Sequence, residues 1–142
     1  MTIILIMESH TELRKVIKGL LEEHIMDIEI IEANSGKEGI SKAIQQKPDL
    51  VLLDVNLPDM DGITVVERIK KDVPGTKIIL LTMFVNKNTK RICKLNGVTA
   101  VLGKNDIFLE LIPIIKTHSK KEEDYDHRNR HSFRRNFKSS GR

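Results

Sequence analysis

Short apolar runs alternate with amphipathic stretches along the first 117 residues. Residues 3–7, Ile-Ile-Leu-Ile-Met, form a wholly apolar run that reads as a buried strand. The run stops at Glu8-Ser9-His10. Leu13, Val16, Ile17, Leu20 and Leu21 then recur at spacings of three and four, the signature of one helix face, with Ser9 or Thr11 placed to cap it. Residues 27–33 set Asp27, Glu29 and Glu32 against Ile28, Ile30 and Ile31, as an edge strand with one wet face does. Asn34-Ser35-Gly36 opens a second helix with Ile40, Ala43 and Ile44 inside. Lys47-Pro48 closes it, because proline pushes the preceding residue out of the helical region.

The third strand, residues 50–54, is apolar from Leu50 to Leu53 and ends in Asp54. A loop containing Pro58 and closed by Gly62 follows, then a helix on Ile63, Val66 and Ile69, stopped by Pro74-Gly75. Residues 78–81 are a fourth apolar strand ending in Thr82. Residues 86–96 make a polar, basic fourth helix, with Gly97 suited to its carboxyl cap. Residues 100–103 are a short fifth strand before Lys104. Asn105 or Asp106 caps a fifth helix on Ile107, Phe108, Leu111, Ile112 and Ile115. Pro113 predicts a kink or an early end there, since it has no N–H for the carbonyl of Leu109.

Five strand–helix alternations predict an α/β fold: a five-stranded parallel sheet, doubly wound, with helices on both faces. Apolar periodicity stops after Thr117, so residues 1–117 read as one domain and residues 118–142 as an extended or disordered basic tail.

Charge sharpens that division. The net charge is +4, but residues 1–117 carry 16 Lys+Arg against 16 Asp+Glu, and residues 118–142 carry 8 against 4. The excess therefore lies in the tail. There Arg and Lys mingle with Tyr125, Phe133 and Phe137, a mixture that can bind nucleic acid. No helix-turn-helix length or zinc spacing accompanies it, so a linker or solubilising tail is the favoured reading over direct nucleic-acid binding. The single cysteine, Cys93, allows no internal disulfide, fits a reducing compartment and sits where a packed thiol is expected. No stretch approaches a membrane span and no signal peptide is evident, which makes the cytoplasm the default. His10 reads as a surface residue without chemistry.

The strand ends carry the candidate chemistry. Glu8, Asp54, Thr82 and Lys104 terminate four of the five strands, and a parallel sheet places all four at one edge. Open α/β sheets bind their ligands there. Two carboxylates together repel unless a cation lies between them, and Mg²⁺ favours such oxygen sites. With a hydroxyl and an ammonium beside a nucleophilic carboxylate, the set suits phosphoryl transfer to Asp54.

Across residues 2–117 the chain resembles the receiver domain of bacterial response regulators (CheY-like) in two-component signalling. The resemblance rests on Asp54 through Gly62, with Pro58 and Asp61-Gly62 in the family's places, and on Thr82, Gly97 and Lys104 at suitable spacings. It implies a flavodoxin-like strand order, 2-1-3-4-5, with Asp54 as phosphoacceptor, Lys104 as phosphate-binding lysine and Thr82 as switch hydroxyl. It also implies Mg²⁺ held by Glu8, Asp54 and the main-chain carbonyl of Asn56. The implied partners are a sensor histidine kinase or phosphotransfer protein, an effector domain or protein, and a second copy of the chain. Output is expected through the fourth helix, fifth strand and fifth helix. On that reading Lys87, Lys90, Arg91 and Lys94 form either a solvated face or a partner surface.

Two positions depart from the family. The second of its paired acids falls at Ser9, whose neutral hydroxyl is a poor Mg²⁺ ligand and better suited to capping a helix. Its aromatic switch position holds Val101. The chain is thus expected to be a phosphoryl acceptor, not a turnover enzyme. A phosphorylation-deficient pseudo-receiver acting as an interaction module is the first alternative. An aspartate-nucleophile phosphatase of the haloacid-dehalogenase type is a remote one, because Asn56 stands where such enzymes carry a second aspartate.

Overall fold

The computed structural model describes residues 1–118. Five parallel strands, β1 (Thr2–Met7), β2 (Ile28–Ala33), β3 (Leu50–Asp54), β4 (Lys77–Thr82) and β5 (Ala100–Gly103), form one sheet in the order β2-β1-β3-β4-β5. Helices α1 (Thr11–His24), α2 (Gly36–Gln46), α3 (Gly62–Asp72) and α4 (Lys87–Leu95) link successive strands, and α5 (Ile107–Thr117) follows a single 3-10 turn, Lys104–Asp106. β3 is central and buried along its whole length, which accounts for its unbroken apolar run. β2 is an edge strand, and its alternation leaves Glu29 exposed while Ile31 and Ala33 are buried.

Alternate side chains divide the core between the two faces. Leu5, Met7, Val51, Leu53, Ile78 and Leu80 pack in one cluster with Ile40 and Ala43 of α2, Val65, Val66 and Ile69 of α3, and Cys93 of α4. Ile4, Ile6, Leu52, Ile79 and Leu81 point to the opposite face, where Ile17 and Leu21 of α1 and Ile107 and Leu111 of α5 supply buried apolar surface. Cys93 is packed as the sequence indicates, and burial pushes its thiol pKa up.

Helix ends show where local signals are read and where they are overridden. Ser35 caps α2 by accepting from Glu38 N–H at 3.2 Å, while the Glu38 carboxylate accepts from Asn34 N–H at 2.9 Å. Lys47 ends that helix in the left-handed region at φ 49°, not in the extended conformation favoured before proline. Gly97 adopts φ +77°, and Val98 N–H donates to the Cys93 carbonyl at 2.9 Å, the left-handed cap expected of glycine.

Several expectations need correction. Neither Ser9 nor Thr11 caps α1: the N-cap residue is His10, in extended backbone, with no side-chain capping bond. Val16 and Ile44 lie on exposed helix positions because Ile17 with Leu21, and Ile40 with Ala43, already fill the inner faces. Phe108 is likewise exposed beside the buried Ile107 and Leu111. A single 3-10 turn, Lys104–Asp106, leads into α5. Pro113 does not end that helix, which continues to Thr117.

The described residues divide between two units, one spanning Met1–Ile112 and the other beginning at Pro113. In the described part of the second, Thr117 Oγ1 donates to the Pro113 carbonyl at 2.9 Å. The expected tail, apart from His118, lies outside the described residues.

Candidate functional site

Strand register brings the chemistry together. Met7 is level with Leu53 across β1 and β3, so the residues that follow them, Glu8 and Asp54, emerge side by side. Thr82 is level with Gly103, so Lys104 leaves β5 next to β4 at the same edge. Glu8 N–H donates to the Ala33 carbonyl at 3.0 Å, and Val55 N–H to the Leu81 carbonyl at 3.0 Å, so sheet bonding holds the backbone at both carboxylates.

Glu8 and Asp54 are each 0% exposed. The Lys104 ammonium bridges them, 3.1 Å from Glu8 Oε1 and 3.0 Å from Asp54 Oδ1. Asp54 Oδ1 also accepts from Asn56 N–H at 3.0 Å. Three charges thus leave one net negative charge among buried groups, which is costly unless a further cation or hydrogen-bond donor offsets it. Glu8 Oε1 and Asp54 Oδ2 show that deficit at atomic level: both are buried and neither has a hydrogen-bond partner. The Lys104 ammonium reaches Oε1 as an ion pair without the alignment of a hydrogen bond.

Thr82, almost fully buried, faces a different task. Its Oγ1 accepts from Phe84 N–H at 3.3 Å and lies 3.4 Å from the Phe84 carbonyl. Both contacts are long and hence weak. Ser9 is half-buried after β1, and the side chain that meets the Glu8 carboxylate from this loop is His10. His10 Nδ1 stands 3.0 Å from Glu8 Oε2, and its main-chain N–H donates to the same oxygen at 3.1 Å. Arg14 is a second residue that the sequence did not single out. It donates through Nη1 to the Glu8 carbonyl at 2.7 Å and through Nε to Glu32 Oε1 at 3.0 Å, tying α1 and β2 to the β1–α1 loop. The only sequence signal for His10 was its place two residues beyond a strand-end acid. Arg14 gave none.

The loop after β3 is anchored from both ends. Asp59 accepts from Gly36 N–H at 2.7 Å and Lys37 N–H at 2.9 Å, and those two bonds, led by Lys37, hold its carboxyl below the ordinary aspartate range. Asp61 caps α3 by accepting from Thr64 N–H at 2.9 Å, which lowers its pKa too. Gly62 is pressed against the strand end: a Cβ there would stand 3.0 Å from Val55 Cα.

Glu8, His10 and Asp54 each present one ligand atom within 4.8 Å of the others. Buried carboxylate oxygens without hydrogen bonds are what a hard divalent ion takes up, so the donor set fits such an ion.

A family model described as the response regulator receiver domain matches residues 4–116. The chain belongs to the response-regulator receiver family. Receiver domains of this family serve two-component systems, typically bind Mg²⁺ through acidic residues, pair with histidine kinases and effector domains, and are generally not turnover enzymes. The receiver is 38% identical over 86 residues to the response regulator protein VraR of Staphylococcus saprophyticus, covering 60% of this chain and 41% of that protein. It is 42% identical over 83 residues to VraR of Staphylococcus aureus, covering 58% of this chain and 39% of that protein. The chain thus spans about two fifths of the length of these curated relatives. Among solved structures it resembles a LuxR-family DNA-binding response regulator from Staphylococcus aureus, with TM-score 0.74 and 27% identity over 82% of this chain and 98% of that one. It also resembles the Mn²⁺-bound form of response regulator Rcp1, with TM-score 0.69 and 25% identity over 83% and 94% of the two chains. The five-stranded parallel sheet and its CheY-like order agree with the fold read from the sequence. No helix among the described residues is long and apolar enough to cross a membrane.

Proposed function

We propose that this receiver accepts a phosphoryl group on Asp54 from the phosphohistidine of a sensor kinase or phosphotransfer protein, in the cytoplasm and with Mg²⁺. The observation that carries the reading is the pair of buried carboxylates, Glu8 and Asp54, bridged by Lys104 and retaining two oxygens without hydrogen bonds. An Asp54 oxygen forms the new O–P bond while the donor's N–P bond breaks and its electron pair returns to the imidazole. Lys104 is placed to neutralise the phosphoryl oxygens, and Asn56 N–H holds Oδ1 in position. Mg²⁺ would be held by Glu8, Asp54 and the Asn56 carbonyl, and when bound it supplies further charge neutralisation. Ser9 contributes a neutral hydroxyl at most.

Phosphorylation adds about 1.5 to 2 negative charges to the crevice at pH 7. The Thr82 hydroxyl, only weakly engaged with Phe84, exchanges that contact for a phosphoryl oxygen. The exposed Met83 and Phe84 lie in the same segment, so this exchange alters the surface near α4, β5 and α5 where an effector or a second copy of the chain is recognised. Val101 is half-buried against the core cluster and offers no rotating ring, so the segment of Thr82 to Phe84 carries the change.

Incubating the protein with acetyl phosphate or phosphoramidate and Mg²⁺, then measuring intact mass, tests the reading. One added phosphoryl group on the parent chain and none on Asp54→Asn is expected. A folded parent that gains no mass with any donor refutes it and leaves the second reading, a pseudo-receiver that binds partners without phosphorylation. Ser9 is the observation favouring that reading, and a gain of Mg²⁺ affinity in Ser9→Asp would identify the missing acid as its cause.

A further inference from the structure

The β1–α1 loop lacks an acid at Ser9 but brings an imidazole to the same crevice. His10 is the N-cap residue of α1, and its extended backbone, φ −80° and ψ 112°, accompanies a ring folded back on the Glu8 carboxylate at 3.0 Å. Its side chain is 75% exposed, so the ring stands at the mouth of the crevice above fully buried carboxylates. Ligand atoms of Glu8, His10 and Asp54 lie within 4.8 Å of one another. Bonds of about 2.1 Å put opposed ligand atoms about 4.2 Å apart, so side-chain shifts of well under ~1 Å gather all three around one ion. Asp54 Oδ2, buried and without a hydrogen bond, independently marks the spot as able to take up a further cation.

We propose that His10 is the third side-chain ligand of the divalent-ion site, in the role that an acid at Ser9 would fill, and that it turns the site towards late first-row transition ions. The inference rests on Glu8 and Asp54 being metal ligands, as proposed above. Its chemical basis is the change of donor. Two carboxylates and an imidazole carry one negative charge fewer than three carboxylates, which weakens the hold on a hard ion such as Mg²⁺. The nitrogen donor strengthens the hold on Zn²⁺, Co²⁺ or Ni²⁺. Lys104, already paired to both carboxylates, offsets a further charge and deepens the disadvantage of the hard ion.

Calorimetric titration of the full chain with Zn²⁺ and with Mg²⁺ tests this on four proteins: the parent, His10→Gln, His10→Asp and Asp54→Asn. The Asp54→Asn variant isolates the crevice from sites at His24, His118, His127 and His131. Zn²⁺ bound at the crevice is expected to be tighter than Mg²⁺ by about tenfold or more, and His10→Gln to lose about that factor for Zn²⁺ while leaving Mg²⁺ within about twofold. His10→Asp should move the preference back towards Mg²⁺. Equal Zn²⁺ affinity in the parent and His10→Gln, with loss in Asp54→Asn, overturns the role of His10 and leaves the carboxylate site standing. Binding that none of the variants alters overturns both. Melting curves of each variant confirm that the fold is kept.

Discussion

At the scale of single residues, a buried cluster with one cation for two acids makes Lys104 a structural as well as a chemical group. Removing it leaves two carboxylates together without their ammonium, and breaking a buried ion pair costs about 3–5 kcal/mol. Lys104→Met is therefore expected to lose about 3 kcal/mol of unfolding free energy in urea titrations followed by circular dichroism. The loss should be smaller in a Lys104→Met, Asp54→Asn double variant, in which only Glu8 remains charged. Asp54, Glu8, Thr82 and Lys104 were legible in the sequence because a polar residue ending an apolar run has one place to go in a parallel sheet. His10 was not, since its contact depends on how one loop residue turns, and a largely exposed ring gives no hydrophobic pattern to read. Thr82 was placed correctly at its strand end, but its present partner, the Phe84 backbone, is a turn-scale detail that the pattern does not encode.

At the scale of elements, the segment joining β3 to α3 is held by contacts that lie outside both. Gly62 begins α3 where a Cβ would meet Val55 Cα at 3.0 Å, and backbone cannot rotate aside as a side chain can. Gly62→Ala should cost about 1–3 kcal/mol by chemical denaturation, although alanine is the better helix former. The sequence marked Gly62 as the close of a loop, and the structure supplies the reason. Asp59 links the same loop to the first turn of α2. Its folded-state pKa is depressed, so its stabilising effect is complete above the ordinary aspartate range and is lost as pH falls through the folded value. Asp59→Asn should therefore melt below the parent at neutral pH, and the two melting temperatures should converge on acidification. Helix interiors were less legible than helix ends. Val16, Ile44 and Phe108 share the periodicity of their buried neighbours yet are exposed, since a short helix on a sheet needs only a narrow apolar stripe.

At the scale of the whole molecule, alternation of strands and helices was sufficient for the fold class. The strand order was supplied by the family resemblance, and periodicity alone does not dictate it. That order puts β3 in the centre, bonded on both sides, and leaves β2 and β5 at the edges. Native-state hydrogen exchange should accordingly find the slowest amides in β3 and its neighbours β1 and β4, and faster exchange along β2 and in α4. Uniform protection across all five strands would show that the sheet opens as one unit instead.

The bridging lysine has one more consequence. Its ammonium sits on both carboxylates and cannot diffuse away, so it acts as a tethered competitor present at a standing local concentration of about the millimolar range or above. A dissolved cation therefore shares the two carboxylates with the ammonium, with Asp54 Oδ2 as the oxygen that carries no hydrogen bond. The affinity of the crevice for ions is then capped from within the chain, and a stray divalent ion at trace concentration is kept out while an abundant or better-matched one is admitted.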